Sequence, residues 1–218
     1  MARSILDARA HGKVRMAPTP IEIHTCESRA LRGHLWRGGG HWAILVHDEG
    51  EDLDAWTPLV GELSADGLSV LAVDLAGHGA SDDPWKPSLA PSDVAATMRF
   101  ARNEGARSVF LIGAGAGATA ALVAAVEVEP QAIVALSPRA ALDGIDPEAI
   151  RESSAPKLFV VGGRDRSALA HTVDVYRRAI GWGVVEQPPV REQGTDLLAS
   201  AWAEQVREKI LAFLRDYF

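Results

Sequence analysis

Cysteine is almost absent from this chain, and so is any long apolar run. One thiol, Cys26, in 218 residues excludes an internal disulfide and a cysteine-built metal cluster, and it points to a reducing, cytoplasmic setting. No apolar stretch approaches the ~20 residues that a bilayer-spanning helix needs, so no membrane partner is expected. Basic charge is in deficit: 22 Lys and Arg stand against 29 Asp and Glu, a formal net charge of −7. Nucleic-acid binders usually present a basic face, so that class of partner is set aside. Nothing in the sequence calls for a metal or a cofactor. The opening segment MARSILDARAHGKVRMAPTP lacks the apolar core of a secretion signal, and residues 1–19 read as a loosely held arm.

What is present is ordinary for a globular chain: 47% hydrophobic and 23% charged residues, enough to bury a sizeable core. Residues 20–218 are expected to form one domain. IEIHT (21–25) and ALRGHLW (30–36) suggest an antiparallel opening pair. WAILVH (42–47), LSVLAVD (68–74), SVFLIG (108–113), AIVALS (132–137) and KLFVVGG (157–163) are apolar runs of the kind found in strands buried on both faces. GVVEQ (183–187) is a weaker last strand. Between them run helical stripes: Trp56, Leu59, Val60 and Leu63; Val94, Thr97, Met98 and Ala101; Leu169, Val173, Tyr176 and Ile180; and Leu198, Trp202, Val206, Ile210 and Phe213. Asp146-Pro147-Glu148 is a further helix start. Alternating strands and helices predict an α/β fold: a mainly parallel, doubly wound sheet of seven to eight strands with helices on both faces. Cys26 is read as a buried, inert thiol.

The stretch LIGAGAGATAAL (111–122) carries the functional question. An apolar strand ends in Gly113-Ala114-Gly115-Ala116-Gly117 and turns at once into an Ala-rich helix, the shape of a G-x-S-x-G nucleophile elbow. Its central residue is Gly115, which has no hydroxyl. Gly113 and Gly117 are read as permitting close strand–helix packing.

Several segments together resemble the α/β-hydrolase fold family. Val73-Asp74-Leu75-Ala76-Gly77-His78-Gly79-Ala80-Ser81-Asp82 is similar to that family's D-x-x-G-H-G-x-S-D run, and the glycine elbow and KLFVVGGRD follow in the family's order over residues 20–215. The resemblance implies a Ser-His-Asp triad at three places. The nucleophile slot holds Gly115, the acid slot holds Asp165, and the base slot, in REQGTDLL before the last helix, holds Gln193. No histidine lies beyond His171, which belongs to the preceding helix. Serine attacks only when a histidine takes its proton and a carboxylate orients that imidazole. Glycine cannot carry an acyl group, and an amide cannot shuttle a proton near neutral pH. A serine-hydrolase mechanism is therefore not expected.

Other residues fall at the resemblance's binding positions. His47-Asp48 stands at the oxyanion loop, where the backbone N–H groups of Asp48 and Ala116 are candidates for an oxyanion-type pair. A carboxylate at position 48 disfavours an anion there. Ser137 and Arg139 end a strand on the cleft side, either touching a ligand or only shaping a loop. Asp165 is a relic held by a backbone N–H or a ligand-binding carboxylate, and Arg164 and Arg166 are equally well surface charges. His78 is expected to organise the turn after its strand. The short span 138–156 leaves no room for a cap domain, so only loops such as DDPWKPSLAP around Trp85 cover the cleft.

The expected function is non-hydrolytic: binding of a small neutral or weakly charged ligand, or of a protein partner, with a homodimer left open. The alternative is an enzyme using His47, Asp48, Asp165 and Gln193 for proton transfer or lyase-like chemistry, or hydrolysing a small ester weakly.

Overall fold

The computed structural model describes residues 17–218; the arm read at 1–19 lies almost wholly outside them. Eight strands form one sheet: β1 (Thr19–His24), β2 (Ala30–Trp36), β3 (His41–Val46), β4 (Ser69–Val73), β5 (Ser108–Ala114), β6 (Ala132–Leu136), β7 (Lys157–Val160) and β8 (Gly183–Glu186), in the order β1-β2-β4-β3-β5-β6-β7-β8. β1 pairs antiparallel with β2, and β2 with β4, while every later pairing is parallel. The mainly parallel sheet of seven to eight strands predicted from alternating apolar runs is observed with eight.

Among the described residues five α-helices cover it: α1 (Thr57–Ala65), α2 (Ala90–Asn103), α3 (Gly115–Val128), α4 (Arg166–Arg178) and α5 (Ala203–Arg215). Side chains of α1 and α5 share one core with one face of the sheet, and those of α2, α3 and α4 share the other. That two-sided cover is why β4 and β6 are buried at every residue, and why they read as unbroken apolar runs. The segment between β6 and β7 contains only a 3₁₀ turn at Pro147–Glu152, capped by the Asp146 carboxylate. The helix start at Asp146 therefore yields a single short turn, and no cap domain stands among the described residues. No helix among the described residues is long and apolar enough to cross a membrane.

Three sequence expectations are corrected. Cys26 is exposed, because the chain turns there between β1 and β2 and places its thiol outside the pair. The buried face of α4 is Ala168, Thr172 and Val175, one position away from the predicted stripe. Tyr176 and Ile180 are consequently exposed, although Tyr176 still meets the Phe159 ring edge to face at 5.7 Å. Trp202 precedes α5 rather than lying in it, and it too is exposed.

At the lower edge of the sheet Lys157 is buried, its ammonium donating to the carbonyls of Ser153, Ala155 and Ile180 at 2.7, 2.7 and 3.0 Å. Burial pushes that amine down to about 8. The upper edge is different. β3 lies between β4 and β5, so the chain leaves it in one direction and returns past it in the other. Ligands of open α/β sheets bind outside the carboxyl ends of the strands at such a switch point.

Candidate functional site

The strand register decides which side chains meet. β3 and β5 are parallel neighbours with Val46 opposite Gly113, so the chain leaves the sheet at His47-Asp48 beside Gly115. Gly115 has a φ of +51°, the left-handed conformation that glycine adopts without strain. A β-carbon built on it would lie 2.0 Å from the carboxylate carbon of Asp48. The space an elbow side chain would occupy is filled by the Asp48 side chain. Gly117 is small for another reason: a β-carbon there would meet the carbonyl oxygens of His47 and Val46 at 2.3 and 2.5 Å.

Asp48 is held by a dense set of donors. Its Oδ1 accepts the N–H of Ala116 at 2.7 Å, the N–H of Glu49 at 2.7 Å and Nη2 of Arg139 at 2.9 Å. Arg139 extends its other terminal nitrogen, Nη1, to Glu49 at 2.6 Å, and Trp85 Nε1 donates to the same carboxylate at 2.8 Å. The Arg139 and Trp85 hydrogen bonds hold the Glu49 carboxyl below its usual range. The loop around Trp85 thus reaches the site through Glu49.

Neither candidate oxyanion donor is free. The N–H of Ala116 goes to Asp48, and the N–H of Asp48 itself donates to Glu51 Oε2 at 3.0 Å. Glu51 also accepts the hydroxyl of Thr195, which ties the loop after β3 to the 3₁₀ turn at Gly194–Leu198.

Beneath these groups His47 is fully buried, with both ring nitrogens in use. Nδ1 lies 2.7 Å from the carbonyl of Asp48, and Nε2 accepts the N–H of Leu75 at 3.0 Å. That accepting role at Nε2 assigns the proton to Nδ1. Burial lowers the imidazole pKa, opposed by its hydrogen bond to the Asp48 carbonyl. A neutral ring with both nitrogens committed shapes the loop and has no proton to exchange with a ligand. His78 plays a similar part. Its Nε2 accepts from Gly50, its Nδ1 faces the Ala76 carbonyl, and its ring lies between those of His47 and Trp85.

A cavity of about 620 Å³ opens above this arrangement. Asp48, Gly115, Ser137, Arg139, Asp165 and Gln193 all line it, so five segments far apart in sequence converge. His47 and Ala116 lie below its wall, both fully buried. Asp165 caps α4, its Oδ1 accepting the N–H groups of Ser167 and Ala168, each at 3.0 Å. Ser137, at φ +47°, accepts the N–H of Gly194 on its hydroxyl at 3.1 Å. Gln193 is exposed at the rim.

Three further wall residues, Glu51, His171 and Asp196, went unassigned from sequence. Asp196 stands in the same loop as Gln193 and was in plain view. His171 was assigned only to its helix; centring the α4 stripe on Ala168 and Thr172 turns His171 toward the cavity with Ser167.

No protein-family model and no curated protein matches the chain. Solved structures do. An esterase of Pyrococcus furiosus, Pf2001, superposes with a TM-score of 0.80 at 20% identity, covering 93% of this chain and 91% of that one. XC6422 of Xanthomonas campestris, described as an α/β serine hydrolase without lid, gives 0.77 at 16% identity over 93% and 96%. Mouse α/β hydrolase domain-containing protein 10 gives 0.75 at 13% identity over 91% and 99%. The chain has the α/β-hydrolase fold, in a form without a cap. At these identities the likeness is one of fold, and the chemistry has to be argued from the site.

Proposed function

We propose that this chain is a non-hydrolytic member of the fold that binds a small molecule in the cavity above Gly115. One observation carries the reading: the Asp48 carboxylate fills the place of an elbow side chain and takes the Ala116 N–H. An acyl-transfer site needs that N–H free for the developing oxyanion and needs a nucleophile in that place. Here one residue removes both. The positions of Gly115, Asp165 and Gln193 around one cavity support their reading as a triad that has lost its nucleophile and base. A cavity of this size favours ligand binding over a purely protein-interaction role. A reducing, cytoplasmic setting belongs to the same reading and rests on the single cysteine.

A proton-transfer enzyme is the second reading, supported by His171, an imidazole in the wall beside carboxylates. The committed nitrogens of His47 weigh against His47 as its base.

Two experiments test the proposal. Incubation with a fluorophosphonate serine probe and with short acyl esters should give neither labelling nor a burst; stoichiometric labelling of a cavity serine overturns it. The triad reading is tested by rebuilding. Gly115→Ser with Gln193→His pushes the Asp48 carboxylate out of the elbow but leaves its charge beside the new hydroxyl, so the double variant should hydrolyse p-nitrophenyl acetate far more slowly than the triple variant that adds Asp48→Gly. No activity in the triple variant despite native folding removes the alignment of the triad, and equal activity in the double and triple variants removes the blocking role of Asp48.

A further inference from the structure

We infer that β8 is an interface: two copies of this chain join antiparallel along its free edge, around a two-fold axis at Val185. The inference goes beyond the ligand-binding reading and does not rest on it.

The sheet has two edges, and they are built differently. On β1 the exposed residues are Thr19, Pro20, Glu22 and His24, and proline and charge of this kind deter strand pairing. β8 has no such defence. No strand among the described residues pairs with its outer edge, and Glu186 is the one charged residue in 179–190. The N–H of Lys157 donates to the carbonyl of Trp182 at 3.0 Å, and that of Val161 to the carbonyl of Glu186 at 3.1 Å. Residues 182, 184 and 186 therefore turn their backbone groups to β7, and Gly183, Val185 and Gln187 turn theirs outward. An antiparallel copy centred on Val185 sets Gly183 against Gln187 of the second copy. Every outward N–H then meets an outward C=O, because a two-fold axis makes one edge its own complement.

The side chains fit the same register. Trp182, Ile180 and Tyr176 flank this edge and are 57%, 47% and 40% exposed. The Trp182 ring is stacked on Phe213 at 6.1 Å and 12°, which holds it as a fixed anchor. Opposite it in the second copy falls Pro188, so apolar groups meet at both ends of the paired strands. Charge permits the meeting. A net charge of −7 opposes self-association in general. At this edge, however, Glu186 is paired with Lys209 at 3.1 Å and Asp174 with Arg178 at 2.6 Å, so the copies bring no unpaired carboxylate together. The three exposed side chains offer roughly 300 Å² per copy, taking about 150–250 Å² for a whole aromatic. With a strand edge of comparable area, the pair buries about 1,000–1,200 Å² in all, the size of a weak, reversible dimer.

The test is sedimentation equilibrium of the full chain from about 1 μM to about 1 mM, the range in which so small an interface associates, with amide hydrogen exchange at both ends of that range. The mass should rise from one chain to two. The outward amides of Gly183, Val185 and Gln187 should gain protection with concentration, while those of Val184 and Glu186 are protected throughout. Val185→Pro deletes an outward N–H and no bond to β7, and Trp182→Ser removes the exposed anchor without touching the strand. Each should weaken the dimer at least about tenfold, with the circular dichroism of the native fold retained. A single chain at every concentration overturns the inference. So does a dimer indifferent to both variants, which places the interface elsewhere. Protection of the three outward amides that does not change on dilution gives the edge to another part of the same chain, and also overturns it.

Discussion

Two helices begin at the cavity, α3 and α4, and an aspartate closes each N-terminus. For α4 the aspartate is local: Asp165 precedes the helix and caps its first turn. For α3 it is remote: the residue before the helix makes no side-chain cap, and the acceptor is Asp48, 68 residues away. The local cap secures one helix. The remote one also links β3 to β5 and, through Arg139, to the end of β6. Helix ends favour carboxylates because their first N–H groups lack partners and carry partial positive charge. The same electrostatic need is met once by chain continuity and once by the register of two strands.

The contrast can be broken most forcefully at Gly115. Gly115→Ser puts a side chain at positive φ and expels the Asp48 carboxylate, so urea denaturation should show a loss of about 3 kcal/mol. In an Asp48→Gly background the same change should cost only about 1 kcal/mol, since backbone strain is partly offset by a stiffer unfolded chain. Equal costs in the two backgrounds would mean that residues 48 and 115 are not coupled.

Removing the two aspartates singly sharpens the comparison. Asp48→Ala should destabilise by about 1–2 kcal/mol, through a lost charge-assisted hydrogen bond to Ala116. Asp165→Ala should cost about 1 kcal/mol, the ordinary value of a cap. Hydrogen exchange separates them. The first should speed exchange at 48–51 and 115–117 together, and the second only at the start of α4.

The smallest effect concerns acid. Arg139 and Trp85 hold Glu49 below its usual 4.5, so the folded chain binds fewer protons there than the unfolded one. That contribution is complete above pH 4.5 and fades as pH falls through the lowered value. Glu49→Gln should flatten the acid limb of the stability curve slightly and leave stability near pH 7 to the remaining contacts. An unchanged acid limb would show that the Arg139 contact is not made in solution.

The same comparison explains what was legible in the sequence. Strands buried on both faces announce themselves as apolar runs, and the elbow glycines mark a sharp strand-to-helix turn, so β3 to β7 and the start of α3 were readable. Asp165 was read either as a relic held by a backbone N–H or as a ligand-binding carboxylate, and the cap it makes uses only neighbouring residues. The role of Asp48 was not readable, because its partner is set by the pairing of Val46 with Gly113, a fact of the sheet. The exposed sides of α4 failed for a related reason. Periodicity finds an apolar stripe, but the packing of small residues such as Ala168 and Thr172 decides which face turns inward. Cys26 was misplaced because apolar character cannot tell a strand end from the turn after it.

The bond between Thr195 and Glu51 has a consequence for how the molecule is made. It joins points 144 residues apart, and closing so long a loop must await the segments between them. During synthesis the elbow and its Asp48 neighbour are complete once β5 and α3 have emerged, but the cavity still lacks the wall carrying Gln193 and Asp196. A ribosome-bound chain can therefore own a finished sheet centre while the cavity above it is still open on one side. The cavity wall closes only after the segment carrying Gln193 and Asp196 has emerged.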